Sequence, residues 1–106
     1  MWTVETLNAL VDAELDALPP KIKARLTRIV DMIQELGLAN VGEPHVKHLE
    51  GKLWEMRPKA EEGIARAIYV TVTGRRVVIV HAFVKKTDRT PRKALALARQ
   101  RAREVR

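Results

Sequence analysis

The chain has 106 residues, of which 46% are apolar and 4% aromatic, so residues 1–106 fit one small domain with an aliphatic core. Cysteine is absent, which excludes disulfides and thiolate metal ligands. The sequence has no apolar run near the ~20 residues of a membrane span and no segment that resembles a secretion leader. We therefore expect a cytoplasmic protein with no membrane partner. Residues 1–44 contain 4 Lys and Arg residues and 7 Asp and Glu residues, whereas residues 45–106 contain 16 Lys and Arg residues and 6 Asp and Glu residues. This asymmetry indicates nucleic acid or an acidic protein as partner, and a solvated basic surface is the alternative.

Two amphipathic helices are predicted in the N-terminal part. Residues 2–6 alternate apolar and polar side chains and fit an edge strand or the lead-in to a helix. Apolar side chains then recur at helical spacing over residues 7–18, and Pro19-Pro20 ends that helix. A second apolar stripe runs over residues 20–36 and stops at Gly37. The tight break between them predicts an antiparallel helical hairpin.

The periodicity changes after residues 37–51, which are rich in glycine and proline and are expected to form a loop. Three strands are predicted, over residues 53–57, 64–73 and 76–84, with a polar connection over 58–63. Thr73-Gly74-Arg75 predicts a hairpin between the last two strands.

A final helix is expected to start at Thr90-Pro91, with the threonine as cap and the proline in the first helical position. Its apolar stripe is narrow. On its polar side, four arginines share one sector at helical spacing: Arg92, Arg99, Arg103 and Arg106.

Helices followed by a run of strands predict an α+β fold. We expect two N-terminal helices and a C-terminal helix packed with an antiparallel sheet. The helices should cover one face of the sheet and leave the other free for a ligand.

Several kinds of chemistry are excluded or disfavoured by the residues present. The chain has neither serine nor cysteine, so a Ser or Cys triad is impossible. Its five glycines form no phosphate-binding loop. His45 and His48 are spaced as metal ligands can be, but they lie in the predicted loop, and His81 is distant in sequence. We therefore interpret them as ordinary histidines and expect no metal or other cofactor.

Chemistry on a phosphodiester fits better, because it needs cations aimed at a phosphate. Arg57 ends the first predicted strand, Arg66 lies near the start of the next, and Lys85-Lys86 follow the last. Each has a simpler interpretation. Arg57 can be a solvated strand residue, Arg66 can pair with Asp12 or Glu14 of the first helix, and the lysines can protect an edge strand from aggregation.

Four segments together resemble a known family: Leu53-Trp54-Glu55-Met56-Arg57, Gly63-Ile64-Ala65-Arg66-Ala67-Ile68-Tyr69, His81-Ala82-Phe83-Val84-Lys85-Lys86-Thr87 and Thr90-Pro91. They are similar to the RelE/HigB superfamily of bacterial toxins, in particular its phage-derived HigB-like branch. The similarity spans the whole chain and includes Leu18-Pro19. The segment from His81 to Pro91 is its most specific part.

The resemblance implies a compact RelE-like toxin of a type II toxin–antitoxin system that cleaves mRNA in the ribosomal A site. The attacking group in that family is the 2′-hydroxyl of the RNA, so no metal is needed. Arg57, Arg66 and Lys86 match the family's catalytic cations by position. The chain departs from the family at Glu55, where some relatives have a second basic residue, and at Arg92, in place of a C-terminal aromatic or histidine.

The general acid is left open by the resemblance, with His81 and Lys85 as candidates. RNA contacts are expected from five basic residues: Lys85, Arg89, Arg92, Arg99 and Arg103. The expected partners are the ribosome with its mRNA and a cognate helix-turn-helix antitoxin, through which alone operator DNA would be bound. Two alternatives remain: a ParE-like inhibitor of DNA gyrase without enzymatic activity, and an inactive relative that only binds a partner.

Overall fold

The computed structural model describes residues 1–86 and 89–106. Its helices are α1 (Ala9–Asp16), α2 (Pro20–Leu36) and α3 (Arg92–Ala102), with a 3-10 turn at Leu38–Asn40. Its strands are β1 (Thr3–Thr6), β2 (Val46–Glu50), β3 (Leu53–Met56), β4 (Lys59–Ala60), β5 (Gly63–Val72) and β6 (Arg76–Lys85). The α+β class expected from the sequence is confirmed.

The two predicted N-terminal helices form as α1 and α2, and each packs mainly against strands of the sheet rather than against the other helix. Asn8 caps α1, its side chain accepting a hydrogen bond from the backbone N–H of Val11 at 3.1 Å. Pro20 occupies the first turn of α2, and Gly37 ends that helix with a φ of 86°, a conformation that glycine adopts without strain. The apolar stripe of α2 is buried against the sheet through Ile22, Leu26, Ile29 and Ile33.

The sheet has the strand order β1-β6-β5-β3-β2, and β4 pairs with the start of β5. The long β5–β6 hairpin turns at Gly74 and Arg75, which both have positive φ, as a tight right-twisted hairpin requires. The pairs among β2 to β6 are antiparallel as expected, but β1 is parallel to β6. No hairpin links β1 to β6, so chain connectivity does not fix their relative direction, and the sheet is mixed.

Helices cover both faces of the sheet. One core lies between the sheet and α1 and α2, around Ile22, Met56 and Tyr69. A second core lies on the opposite face, where Ala98 of α3 packs with Ile68 and other strand residues. The expectation of a free face is therefore wrong, because α3 packs on the side that α1 and α2 leave open.

Two predicted loops contain strands. Residues 37–51 include β2, which forms an edge of the sheet by pairing with β3. The polar connection 58–63 includes β4, which pairs with β5. Both strands are short, and Val46 is their one buried residue, so their sequences lack the apolar alternation that marks a half-buried strand.

The start of α3 also differs from the prediction. Pro91 is the N-cap residue and Arg92 the first helical one. Thr90 does not cap the helix; its hydroxyl donates a hydrogen bond to Oε1 of Glu55 at 3.0 Å. At the other end, α3 stops at Ala102 with Arg103 as C-cap, so Arg106 lies beyond the helix.

Within the described residues, no helix has the length and apolar character needed to cross a bilayer.

Candidate functional site: a cationic cavity

A cavity of ≈ 370 Å³ opens between α2 and the ends of β3, β4 and β5. Its walls carry five side chains that are positively charged at neutral pH: Arg25, Arg28, Arg57, Lys59 and Arg66. Ile29, Met32, Pro44, His45, Pro58 and Ile64 complete the lining. We call this the cationic cavity.

Strand pairing brings the two catalytic candidates Arg57 and Arg66 together. Met56 of β3 is opposite Ala67 of β5, and because these strands are antiparallel, the next positions along them are Arg57 and Arg66. The side chain of Arg66 is 4% exposed and that of Arg57 is 27% exposed. The cavity therefore has one buried guanidinium in its wall and one that reaches solvent.

Glu55 is the counter-charge of both arginines. Its carboxylate is buried, with Oε2 3.3 Å from Nε of Arg66 and 3.5 Å from Nε of Arg57. Its other oxygen accepts the Thr90 hydroxyl, which holds the segment before α3 against the site. One carboxylate thus faces two guanidinium groups, and the cluster of three keeps a net positive charge.

The electrostatics of Arg66 reflect this imbalance. Burial lowers the pKa of its guanidinium, Glu55 raises it, and the neighbouring charge of Arg57 lowers it again. Nη1 of Arg66 donates to the carbonyl of Ala65 at 2.9 Å. The buried Nε atoms of Arg57 and Arg66 have no hydrogen-bond partner among the described residues. An anion entering the cavity would supply both acceptor atoms and negative charge.

The remaining catalytic candidate, Lys86, is not part of the cavity wall. It is exposed and follows directly after β6. Its neighbour Lys85 pairs with Ile64, which does line the cavity. The two lysines are therefore placed at the end of the sheet beside the cavity, and the next residues, Thr87 and Asp88, lie outside the described part of the chain.

The candidate RNA-binding arginines lie along α3 and just before it. Arg89, Arg92 and Arg103 are exposed. Arg99 is also exposed but forms an ion pair with Glu50 of β2, with hydrogen bonds of 2.8 and 3.0 Å. That pair holds the pKa of the Glu50 carboxyl below its usual value through the hydrogen bond from Arg99.

The simpler interpretation of Arg66, a pair with Asp12 or Glu14, is wrong. Glu14 instead binds at the edge of β6, beyond the point where β1 stops. Its Oε1 accepts from the backbone N–H of Ala82 at 3.1 Å and from Arg101 at 2.9 Å, and it contacts Nδ1 of His81 at 2.9 Å. Arg101 also donates to the carbonyl of Val80. His81, one candidate acid, is therefore engaged at this edge and does not line the cavity.

The sequence interpretation missed three of the five cations and a histidine. Arg25 and Arg28 are on the helix face next to the buried stripe of α2, and Lys59 belongs to β4. Their spacing with Ile29 and Met32 could have indicated a common helix face. His45, which lies in the turn before β2, lines the cavity, and its carbonyl accepts the N–H of Arg57 at 2.8 Å.

The described residues contain no group of three His, Asp or Glu side chains arranged to hold a metal ion. The cationic cavity has the opposite character from a metal site, because arginine and lysine have no lone pairs to offer a cation. Its donors suit phosphate or another oxyanion, and the planar fork of arginine can bind two oxygens of one phosphate.

Comparison with known proteins gives one match that covers most of the chain. The model of the family described as "Phage derived protein Gp49-like (DUF891)" matches residues 13–103. The match includes α2, all strands from β2 to β6 and α3, and hence every residue that lines the cationic cavity. No similar sequence was found among curated proteins. The chain therefore belongs to the phage-derived Gp49-like (DUF891) family.

Proposed function

We propose that this protein is the toxin of a type II toxin–antitoxin system and cleaves mRNA on the ribosome. One observation carries the proposal: Arg57 and Arg66 converge on the cationic cavity with three further cations, and among the described residues a single buried carboxylate, that of Glu55, is paired with them. The resemblance to RelE/HigB toxins and the membership of a phage-derived family agree with it.

In the proposed reaction the 2′-hydroxyl of the RNA attacks the neighbouring phosphorus. A bond forms between the 2′-oxygen and phosphorus, and the bond from phosphorus to the 5′-oxygen breaks. The products are a 2′,3′-cyclic phosphate and a 5′-hydroxyl, so one proton leaves the 2′-oxygen and one is added to the 5′-oxygen. Negative charge grows on the non-bridging oxygens in between, and Arg57 and Arg66 stabilise that charge.

We assign the two proton transfers to two side chains. Lys86 lies beside the cavity, in the position that the resemblance assigns to a catalytic cation. His45 is the one histidine of the cavity wall, and imidazole exchanges protons readily near neutral pH. We propose that His45 and Lys86 share the roles of general base and general acid.

The remaining basic residues would hold the substrate. Lys85, Arg89, Arg92, Arg99 and Arg103 would contact the phosphate backbone of ribosomal RNA, and the charge asymmetry of the chain supports this role. The antitoxin, which we propose is a helix-turn-helix protein, would cover the cationic cavity with an acidic segment. Operator DNA would then be bound only through the antitoxin.

A second candidate, inhibition of DNA gyrase without RNA cleavage, is favoured by one observation. Lys86 is exposed and does not line the cavity. Such a lysine can bind a polyanion without acting on a scissile phosphate. An inactive protein that only binds a partner is the third possibility.

One experiment separates these functions. The purified protein is added to a translating extract and the 5′ ends of the mRNA are mapped, while DNA supercoiling by gyrase is assayed in parallel. New 5′ ends that depend on ribosomes support the proposal. Loss of supercoiling with intact mRNA would assign the gyrase function, and no effect in either assay would leave partner binding alone.

A further inference from the structure

A second cavity, of ≈ 740 Å³, opens on the same sheet face beyond the C-terminal end of α2. We call it the aromatic cavity, because both tryptophans of the chain, Trp2 and Trp54, and its single tyrosine, Tyr69, line it. Only Phe83 among the Phe, Trp and Tyr residues lies elsewhere. In a chain that is 4% aromatic, this concentration is unlike the aliphatic core.

Trp54 is held in place with its ring accessible. It is 39% exposed and is the cross-strand neighbour of His48. The two rings meet edge to face with centroids 4.9 Å apart. Nε2 of His48 lies 2.8 Å from the carbonyl oxygen of Gly51, which fixes the orientation of the imidazole. Trp54 therefore presents a preorganised surface for stacking.

Tyr69 adds an unused hydrogen-bond donor. Its side chain is buried, and its hydroxyl has no hydrogen-bond partner among the described residues. An unpaired buried hydroxyl is costly. Burial also raises the pKa of Tyr69 to about 12, so the hydroxyl keeps its proton at neutral pH. A ligand with a carbonyl oxygen or ring nitrogen would satisfy this donor.

The charged residues that line the two cavities suit them to different ligands. The aromatic cavity is lined by one lysine, Lys47, and one acid, Glu43, whereas the cationic cavity concentrates five cations. A phosphate is therefore better held in the cationic cavity, and a flat, uncharged ring in the aromatic one.

We propose that the aromatic cavity binds an unstacked nucleobase, which packs against Trp54 and Trp2 and accepts a hydrogen bond from Tyr69. Stacking of a base on an aromatic side chain tolerates any sequence and is worth about 1–3 kcal/mol. The base can belong to a free nucleotide or to single-stranded RNA. Neither source requires the proposed cleavage reaction.

The position of the cavity is compatible with an RNA strand that reaches both sites. Pro44 and His45 line the cationic cavity, and the flanking residues Glu43 and Val46 line the aromatic one. Along the chain, Trp54 and Arg57 are three residues apart, about 10 Å at the rise of an extended strand. A phosphate at Arg57 would leave a nearby base within reach of Trp54.

The test uses the two indole N–H signals in a proton–nitrogen NMR spectrum, since both tryptophans of the chain line the cavity. We expect adenosine 5′-monophosphate to shift both signals saturably and ribose 5-phosphate, which lacks the base, to leave them in place. Equal shifts with both compounds, or none with either, would overturn the proposal. Signals that move on dilution of the free protein would also overturn it, because a second copy would then fill the cavity.

Variants locate the binding. Trp54→Leu should weaken nucleotide binding about tenfold or more through lost stacking, and Tyr69→Phe about fivefold through the lost hydrogen bond. The matched control is Phe83→Leu, which removes the aromatic ring outside the cavity and should leave the affinity unchanged. Circular dichroism confirms that each variant is folded. Unchanged binding in both cavity variants would contradict the proposal.

A further comparison identifies the source of the base. A short single strand of 2′-O-methyl RNA, which cannot undergo 2′-hydroxyl attack, should bind more tightly than the mononucleotide if the base belongs to RNA. Equal affinities would assign a free nucleotide. Binding of the nucleotide involves no cleavage. A protein that binds the nucleotide but does not cleave mRNA would therefore refute the proposed function and leave this inference standing.

Discussion

Glu55 offers a direct test of how the cationic cavity is built. Glu55→Gln keeps the size and shape of the side chain but removes its negative charge and replaces one of its two acceptor oxygens by an NH2 donor. The guanidinium of Arg66, whose side chain is 4% exposed, would then face that of Arg57 without compensation. Breaking a buried ion pair from one side typically costs about 3–5 kcal/mol. We expect the lower end of that range, because Arg57 keeps 27% of its side-chain exposure and can turn towards water.

The expected loss is large enough to measure by thermal unfolding. For a domain of this size, 1 kcal/mol shifts the midpoint by roughly 4–8 °C, so a loss of about 3 kcal/mol in Glu55→Gln should lower it by about 12–24 °C. The assay is circular dichroism during heating at neutral pH. Glu50→Gln is the matched control, because it removes the carboxylate of the exposed pair with Arg99 and should change the midpoint little.

A double variant checks the cause. Adding Arg66→Met to Glu55→Gln removes the stranded buried charge and should recover part of the lost stability. If Glu55→Gln unfolds at the same temperature as the wild type, Glu55 does not neutralise the arginines and the electrostatic description of the cavity is wrong.

Three further predictions follow from single contacts. His45→Ala should reduce mRNA cleavage about 10²–10⁴-fold if His45 transfers a proton, and unchanged cleavage rates in a translating extract would remove it from the reaction. Burial raises the pKa of Glu14, but hydrogen bonds from Arg101, His81 and the backbone of Ala82 lower it more, to below the usual 4.5. The contribution of ionised Glu14 to stability is therefore complete above pH 4.5 and is lost as the pH falls through the lower folded-state pKa. The thermal midpoint should fall with it, and Glu14→Gln should make the fall of the midpoint with pH less steep. A fall that is equally steep in Glu14→Gln would contradict the assignment. Replacing Arg99 and Arg103 by alanine should flatten the salt dependence of RNA binding measured by filter retention, and an unchanged slope would exclude this part of α3 as a contact surface.

The sequence was most informative where burial is one-sided and regular. The stripe of Ile22, Leu26, Ile29 and Ile33 predicts α2 correctly because each of these side chains is buried. The β5–β6 hairpin follows from two apolar runs around Gly74. β2 was missed because Lys47 and His48 are exposed at the sheet edge, so its sequence resembles that of a polar loop.

The site was only partly predictable, because its residues meet through tertiary packing. Arg57 and Arg66 were singled out from their positions in strands, and the register of β3 and β5 brings them together. Glu55 looked like a departure from the family pattern, yet it is the buried partner of both. Arg25 and Arg28 look like a solvated helix face in the sequence. Their role emerges only when α2 packs across the ends of strands encoded some thirty residues later.

We propose that the cationic cavity stabilises a phosphodiester during its cleavage. The most direct measurement is the rate of ribosome-dependent mRNA cleavage by Arg66→Lys, followed by primer extension, with the exposed Arg92→Lys as matched control. Both variants keep the charge, but only the first removes the planar fork from the cavity wall. We predict a loss of ~10²–10³ in rate for Arg66→Lys and a near wild-type rate for Arg92→Lys. Full activity in a folded Arg66→Lys protein would show that the cationic cavity does not stabilise the reacting phosphate.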